Sequence, residues 1–255
     1  LTHIIGLVWY FPVIAVPIPI RDIVSCIGVR GAVILAGTAG CTALALFVFY
    51  KGLVLSEVSY VAPISKIVPV FVLQLEVVFL DQQLSAIHVI GVWVATGAVY
   101  VANYRRGSLL DPLRRLRQSK AALLALASAA AFGVVDVGKR TSMQELNISP
   151  ESFVLIMLIL VPTLLAPSAV GHLDAVDWWS DRWRLLFAGL VFVIGQYLVA
   201  SSFQTLPASV VSPVVNTQAV VAVVLGSILL GEEGMRIRFV AAALAICGIV
   251  LITIG

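Results

Sequence analysis

Long apolar runs, separated by short segments that hold most of the charged residues, form the dominant pattern of this chain. Each run is about 20 residues long, which is the length that an α-helix needs to cross a hydrocarbon core of roughly 30 Å. The runs are apolar on every face and lack the alternation of apolar and polar residues that is typical of barrel strands. The pattern therefore predicts nine transmembrane helices, near residues 2–20, 34–55, 58–80, 87–104, 121–138, 152–171, 184–205, 207–230 and 237–254.

The second half of the chain repeats the first half at a distance of 150 residues. Residues 56–83 align with residues 206–233 without a gap, and Pro63 then matches Pro213. The same shift superimposes the last four predicted helices on the first four, and only the helix at 121–138 lacks a mate. The register alone predicts one further helix before the first residue, and thus ten helices in two repeats of five.

An odd number of helices in each repeat makes the second copy enter the membrane from the opposite face. This inverted arrangement is common in secondary transporters, which bind the substrate near the membrane midplane between the two repeats. We therefore predict an all-α membrane protein with two inverted five-helix repeats. Residues 1–104 form the first repeat, 105–120 a basic linker and 121–255 the second repeat.

Composition agrees with a membrane protein and argues against nucleic-acid binding, a disulfide framework and a metal site. Apolar residues make up 61% of the 255 residues, charged residues make up 11%, and the mean hydropathy is +1.08. The net charge is +3, and most basic residues lie between the apolar runs. At these positions they anchor helices at the membrane interface, so we expect no nucleic-acid partner. The three cysteines and three histidines are dispersed, and we predict neither a disulfide framework nor a metal site or cofactor.

Combinations of residues that are typical of an enzyme active site do not occur in the sequence. No paired carboxylates, His-Glu metal set or nucleophile with its base occur at helical spacing, and the nucleotide-binding motif GxxxxGK[ST] does not occur. We therefore predict a carrier that moves a small metabolite across the cytoplasmic membrane by alternating access. The alternatives are a non-transporting membrane subunit or sensor, and a membrane-embedded enzyme.

Two consecutive segments near the end of the chain form a recognisable motif. The segment SPVVNTQAVVAVVLGSILLGEE has Pro213 after a small residue and Glu232 at its Gly-Glu end, and CGIVLITIG follows with Gly248. In this order the segments resemble the EamA family of the drug/metabolite transporter superfamily. The resemblance implies two copies of a five-helix domain and a carrier of small metabolites.

The first copy has the same motif with one departure. Gly91 and Gly97 are in place in IGVWVATGAVYVANY, but Gln82 stands where the family has a glutamate. The family is usually described with both termini in the cytoplasm, which places the loop 105–120 outside. The positive-inside rule predicts the opposite orientation, because the face with that loop holds eleven Lys or Arg residues against four on the other face.

Lys66 and its repeat mate Asn216 are the leading candidates for substrate binding. A charge near the bilayer centre costs at least about 2.5 to 3.5 kcal/mol on insertion scales, so an ionisable residue there is a functional candidate. Lys66 lies three residues from the centre of the helix at 58–80. Inverted repeats would bring Lys66 and Asn216 to one cavity from opposite sides, which suits an anionic or zwitterionic substrate. The alternative is a structural lysine that pairs with backbone carbonyls or with a carboxylate elsewhere in the bundle.

Four further residues at helix centres are candidates for contact with a substrate: Trp9, Tyr10, Gln196 and Tyr197. The aromatic residues are too central for interfacial belts, and packing against neighbouring helices is the alternative to substrate contact. Gln196 must find a hydrogen-bond partner within the membrane. A neighbouring helix and a ligand both satisfy that requirement.

Glu76, Pro63 and Pro213 are candidates for coupling and gating. Glu76 is a candidate proton carrier, because an apolar environment favours the neutral form of a carboxyl group; the alternative is a side chain that reaches the interface near the helix end. Gln74 lies almost opposite Glu76 around the helix, so both cannot face one cavity. Pro63 and Pro213 bend helices at equivalent places in the two repeats, either as hinges or only for packing.

The predicted partners are a small-molecule substrate and membrane lipid, and the sequence leaves open whether the protein forms a homo-oligomer.

Overall fold

A computed structural model describes most of the chain, namely residues 2–15, 20–56, 58–80, 83–102, 119–169, 178–221, 224–225 and 235–255. Within these residues the protein is helical and contains no strand, as the apolar runs predict. The predicted linker lies outside the described residues up to residue 118, and Gln82 and Glu232 also lie outside them. The backbone at Pro63 is described, but its side chain is not.

The described helices follow the predicted apolar runs closely. In chain order they are α1 (Thr2–Ala15), α2 (Ile20–Leu55), α3 (Val58–Ser65), α4 (Val68–Leu80), α5 (Ala86–Ala102), α6 (Lys120–Arg140), a π-helical turn (Thr141–Glu145), α7 (Pro150–Ala169), α8 (Trp178–Thr205), α9 (Ala208–Asn216) and α10 (Met235–Ile254). Among the described residues, four segments are long and apolar enough to cross a membrane: Gly28–Leu55, Lys120–Glu145, Pro150–Ser168 and Asp181–Thr205. Shorter apolar helices lie at Val68–Leu80, Ala86–Val101, Ala208–Val221 and Phe239–Ile254.

The second helix is longer than the apolar pattern predicts and contains a bend. The predicted helix at 34–55 begins instead at Ile20, and its backbone leaves the helical conformation at Gly28, where φ is 53° and ψ is 180°. Only glycine adopts this combination readily, because a β-carbon makes it unfavourable. The apolar span therefore begins at Gly28, after the polar segment that the hydropathy pattern left out.

Replacing Gly28 by alanine tests this bend. We expect Gly28→Ala to lower the free energy of unfolding by about 1 to 3 kcal/mol, because the backbone conformation disfavours a β-carbon even though no neighbouring atom lies within 4 Å of it. Gly37→Ala is the matched control, because Gly37 lies in the regular part of the same helix and is equally free of neighbours. Alanine there is expected to raise stability by up to about 1 kcal/mol. Thermal unfolding of both variants in one detergent measures the difference, and equal stability would contradict the bend.

The chain divides into two compact units. The first comprises Leu1–Ala43 and Gly138–Leu206, and the second comprises Leu44–Val137 and Pro207–Gly255. Each unit therefore contains segments from both halves of the sequence.

In the second unit, α5 and α10 pack extensively against each other. Gly91 lies against Ile252, and Gly248 lies against Ala95. Because residue numbers rise along one helix as they fall along the other, the pair is antiparallel. The two glycines let the backbones approach closely: a β-carbon on Gly248 would lie 2.5 Å from the backbone nitrogen of Ala95. The helices α5 and α10 are mates under the shift of 150 residues, so these two mates run in opposite directions.

In the first unit, α1 packs against α7 and α8. Gly6 provides space for Val193 of α8 and Leu158 of α7, with a β-carbon position 2.6 Å from Val193 Cγ2. The hydroxyl of Tyr10 contacts the first turn of α7 at Glu151. The contacts at Gly6 and Tyr10 run in opposite directions along α1 and α7, which are also mates under the shift of 150 residues.

Candidate functional site

The predicted helix at 58–80 is interrupted where Lys66 stands. The helix α3 ends at Ser65 and α4 begins at Val68, with a turn between them. Pro69, in the first turn of α4, has no N–H to donate to the carbonyl of Ser65, and its ring would clash with that carbonyl in a continuous helix. The half-buried Lys66 therefore lies at a break between two short helices and not inside a regular one.

Lys66 lies within electrostatic range of a carboxylate in the second unit. Asp136, on α6, is the acidic residue whose charge acts on the Lys66 ammonium. The sequence leaves open whether Lys66 binds a substrate or pairs with a carboxylate in the bundle. For the second alternative, Asp136 is the candidate carboxylate. The same two residues are also compatible with the first alternative, in which Lys66 exchanges an internal partner for a ligand.

The repeat mate of this helix is interrupted at the equivalent position. The helix α9 ends at Asn216, a turn follows at Thr217, and the chain is helical again at 218–221. The amide nitrogen of Asn216 donates to the carbonyl oxygen of Ser212 at 2.8 Å. Such a side-chain bond competes with the helix for backbone groups and favours a helix end.

The two breaks correspond under the shift of 150 residues. Lys66 and Ile67 in one half match Asn216 and Thr217 in the other half, and both breaks belong to the second unit. Interrupted helices expose backbone donors and acceptors at membrane depth, which is tolerated where they are buried in protein or line a polar cavity. Interruptions at corresponding positions of two repeats are the usual structural indication of a transporter binding site.

Glu76 joins α4 to the start of α9. Its side chain is fully buried, and its two carboxylate oxygens accept the backbone N–H groups of Ala208 at 2.7 Å and Ser209 at 2.9 Å. A carboxylate suits this position, because the first N–H groups of a helix lack partners and carry partial positive charge. The alternative that Glu76 reaches the interface is therefore wrong. Gln74 is exposed, which confirms that the two side chains do not share one face.

In the first unit, two of the candidate aromatic residues converge on a single glutamate. The hydroxyl of Tyr197 donates to Glu151 Oε1 at 2.9 Å, and the hydroxyl of Tyr10 donates to the main-chain oxygen of Glu151 at 3.1 Å. Glu151 lies in the first turn of α7, where the helix dipole favours a carboxylate. The cluster links α1, α7 and α8 through polar groups within an apolar unit.

Sequence analysis missed Glu151, although a local signal for it exists. Ser149 accepts the backbone N–H of Ser152 at 3.3 Å, and Pro150 follows at the first helical position. A serine cap, a proline and then an acidic residue before an apolar run is a typical helix start. The signal marks Glu151 as part of a helix terminus, but it does not reveal the two distant tyrosines that bind it.

The other candidates of the first unit have different surroundings. The indole nitrogen of Trp9 donates to the main-chain oxygen of Leu186 at 2.9 Å, and the ring is 40% exposed. Gln196 is half-buried on α8. Lys66 and Asn216 belong to the second unit, so the predicted substrate contacts are distributed over both units.

A π-helical turn organises one end of the first unit. Gln144, within this turn, donates through Nε2 to the main-chain oxygens of Phe203 at 3.0 Å and Leu206 at 2.9 Å. Arg140 donates to the Gln144 side-chain oxygen at 3.1 Å. These bonds satisfy carbonyls at the end of α8 that have no partner in the helix. Sequence periodicity does not predict a π-helical turn, so this arrangement was not foreseen.

The two gating candidates both lie in short helices that precede a break. Pro213 is buried inside α9, three residues before the break at Asn216. Pro63 lies in α3, three residues before Lys66. The corresponding positions agree with the repeat, and a role in gating stays a prediction.

Four described helices of membrane-spanning length and apolarity, together with shorter apolar helices that are interrupted at equivalent positions, are typical of an integral membrane protein. The model of the EamA-like transporter family matches residues 119–254, which is more than half of the chain. The chain belongs to this family. The family is one of transporters and not of enzymes, as the sequence resemblance implies.

Comparison with solved structures agrees on the fold. Twenty solved chains match this protein. One of them, described as "Crystal structure of protein", superimposes with a TM-score of 0.74 at 17% sequence identity, over 99% of this chain and 85% of the other. At this identity the likeness shows the fold alone. No match was found among curated protein sequences.

Proposed function

We propose that this protein is a secondary transporter that carries a small metabolite across the cytoplasmic membrane by alternating access. The observation that carries the proposal is the pair of helix breaks, at Lys66 in one half of the sequence and at Asn216 in the other. Each break places a polar side chain, Lys66 or Asn216, between two helical segments, and binding sites of secondary transporters are typically built from interrupted helices.

Two antiparallel helix pairs support the inverted repeat in this proposal. The mates α5 and α10 run in opposite directions in the second unit, and the mates α1 and α7 do so in the first. Opposite directions are what a twofold axis within the membrane plane requires of repeat mates. In alternating access, the two repeats then exchange equivalent conformations around the site, and Pro63 and Pro213 act as hinges beside the two breaks.

The chemistry at Lys66 favours a substrate with a negative group. A lysine ammonium donates up to three hydrogen bonds and accepts none, so it binds a carboxylate or another anion. The negative charge of Asp136 acts on the Lys66 ammonium, and this charge makes a zwitterion a better fit than a simple anion. The substrate anion then binds Lys66 while a cationic group of the substrate faces Asp136.

Uptake by proteoliposomes that contain the purified protein tests the proposal. A thermal-shift screen of amino acids and small organic acids first selects a ligand, because a ligand that binds the folded state raises the unfolding temperature. We expect Lys66→Ala and Asn216→Ala each to lower uptake of that ligand at least tenfold, since each removes a hydrogen bond to the substrate worth about 1.4 kcal/mol or more. Lys66→Arg keeps the charge and should retain part of the activity.

Lys51→Ala is the control for the loss of a positive charge. Lys51 is exposed near the end of α2, and its removal should leave uptake unchanged. Unchanged uptake in both Lys66→Ala and Asn216→Ala would remove the proposed site. A ligand that stabilises the protein but never enters the liposomes would instead indicate a sensor or a non-transporting subunit.

A further inference from the structure

The short helix α9 has a buried polar face next to the proposed site. Ser209, Ser212 and Asn216 lie at spacings of three and four residues, which brings them to one side of a helix. The exposed fractions of the three residues are 0%, 1% and 9%. A polar face that is buried in a membrane protein needs partners for its hydrogen-bonding groups.

The hydroxyl groups of Ser209 and Ser212 have no hydrogen-bond partner among the described residues. An unmet buried polar group costs about 1 to 3 kcal/mol, and such groups are rare in native structures. Nine other hydroxyls among the described residues bind a main-chain oxygen three or four residues earlier: Thr38, Thr42, Ser65, Ser142, Thr163, Ser201, Ser202, Thr217 and Thr253. The two serines of α9, like Thr96 of α5, depart from this common arrangement.

The rest of α9 does not supply these partners. The N–H groups at its start already bind Glu76, and the amide nitrogen of Asn216 already donates to the main-chain oxygen of Ser212. A serine hydroxyl both donates and accepts a hydrogen bond, and the remaining amide oxygen of Asn216 accepts. This face is therefore complementary to a neutral group that also donates and accepts, such as a hydroxyl or an amide.

We propose that Ser209 and Ser212 bind a hydroxyl or amide group of the transported substrate. The inference rests on the proposed function and makes it more specific. Lys66 binds the negative group of the substrate, and Ser209 and Ser212 of α9 bind a neutral polar group of the same substrate. The substrate class is thus a small hydroxylated or amide-bearing organic acid or amino acid.

Pairs of compounds that differ by one polar group test this specificity. Suitable pairs are serine with alanine, asparagine with 2-aminobutyrate, and lactate with propionate, each as a radiolabelled compound taken up by proteoliposomes. We expect the wild type to prefer the polar member of at least one pair. Ser209→Ala and Ser212→Ala should reduce that preference roughly 5- to 100-fold, as the loss of a 1 to 3 kcal/mol hydrogen bond implies.

The stability of the ligand-free variants provides a second readout. Ser209→Ala and Ser212→Ala remove hydroxyls that have no partner in the described residues, so we expect an unchanged or higher unfolding temperature without ligand. Ser128→Ala is the matched control in the same unit, because its buried hydroxyl donates to the main-chain oxygen of Ala45 at 2.9 Å. That variant should unfold at a lower temperature and keep the wild-type preference between the paired compounds.

The outcomes separate this inference from the proposed function. The inference is wrong if the wild type transports a ligand but shows no preference for the polar members. It is also wrong if both serine variants keep that preference. In either case the proposed transport function is not contradicted. A polar member that stabilises the wild type but not the serine variants, without any uptake, would support the inference and contradict transport. Destabilised ligand-free serine variants with unchanged preference would show that these hydroxyls serve only the fold.

Discussion

Gly248→Ala is expected to cause the largest loss of stability among single-methyl substitutions at the glycines of α5 and α10. A β-carbon on Gly248 would lie 2.5 Å from the backbone nitrogen of Ala95 and 2.8 Å from its α-carbon. Because these are backbone atoms, no rotation of a side chain relieves the contact, and the two helices must move apart. Overpacking of this kind costs about 1 to 3 kcal/mol and occasionally more, and we expect the upper end of that range.

Gly97→Ala is the matched control for this prediction. Gly97 lies on α5, and no atom outside its own helix backbone lies within 4 Å of its β-carbon position. Alanine there is expected to leave stability unchanged or to raise it by up to about 1 kcal/mol. Thermal unfolding and the monodisperse fraction in size-exclusion chromatography, measured in one detergent, compare the two variants. Equal behaviour would mean that α5 and α10 do not pack through Gly248.

The contrast between these glycines shows which features of helix packing the sequence predicts and which it does not. The family motif contains Gly91, Gly97 and Gly248 and does not distinguish their surroundings. The structure separates them, because Gly91 and Gly248 face the partner helix whereas Gly97 does not. Which face of a helix meets its neighbour depends on the crossing of two helices that are distant in sequence, and apolar runs without a polar side do not encode it.

The repeat and the helix breaks give a similar contrast. A shift of 150 residues is visible in the sequence, and the helix pairs α5 with α10 and α1 with α7, which it relates, run in opposite directions in the structure. The break at Lys66 was not predicted, because hydropathy stays high across it, although Pro69 supplies a local cause. The influence of Asp136 on Lys66 was not predictable either, since the two residues are distant in the chain and the charge of Asp136 acts on Lys66 only in the folded protein.

Side-chain roles in the candidate site depend even more on tertiary contacts. The sequence singles out Tyr10 and Tyr197 as central polar aromatics, but their convergence on Glu151 requires three helices to pack. Ser209 and Ser212 resemble ordinary small residues of a membrane helix until their missing partners are known. The sequence thus predicts which residues are unusual, and the structure shows which of them act together.

Glu76→Ala is expected to weaken both the fold and transport. The substitution leaves the N–H groups of Ala208 and Ser209 without acceptors, at a fully buried position. Each buried donor without a partner costs about 1 to 3 kcal/mol, so we expect a loss of roughly 3 to 5 kcal/mol in the free energy of unfolding. Gln74→Ala, at an exposed position of the same helix, should change stability by less than about 0.5 kcal/mol.

Glu76→Gln separates the role of Glu76 in the fold from the predicted role in proton coupling. Glutamine keeps the shape and one acceptor oxygen but presents an NH₂ group to a second N–H donor, so we expect an intermediate loss of stability. If Glu76 only binds the start of α9, the pH dependence of proteoliposome uptake in this variant will match that of the wild type at a lower overall rate. If Glu76 carries the coupling proton, glutamine cannot release one, and an imposed pH gradient will no longer drive accumulation of the substrate. The first result is favoured, because both carboxylate oxygens already accept N–H groups at the start of α9.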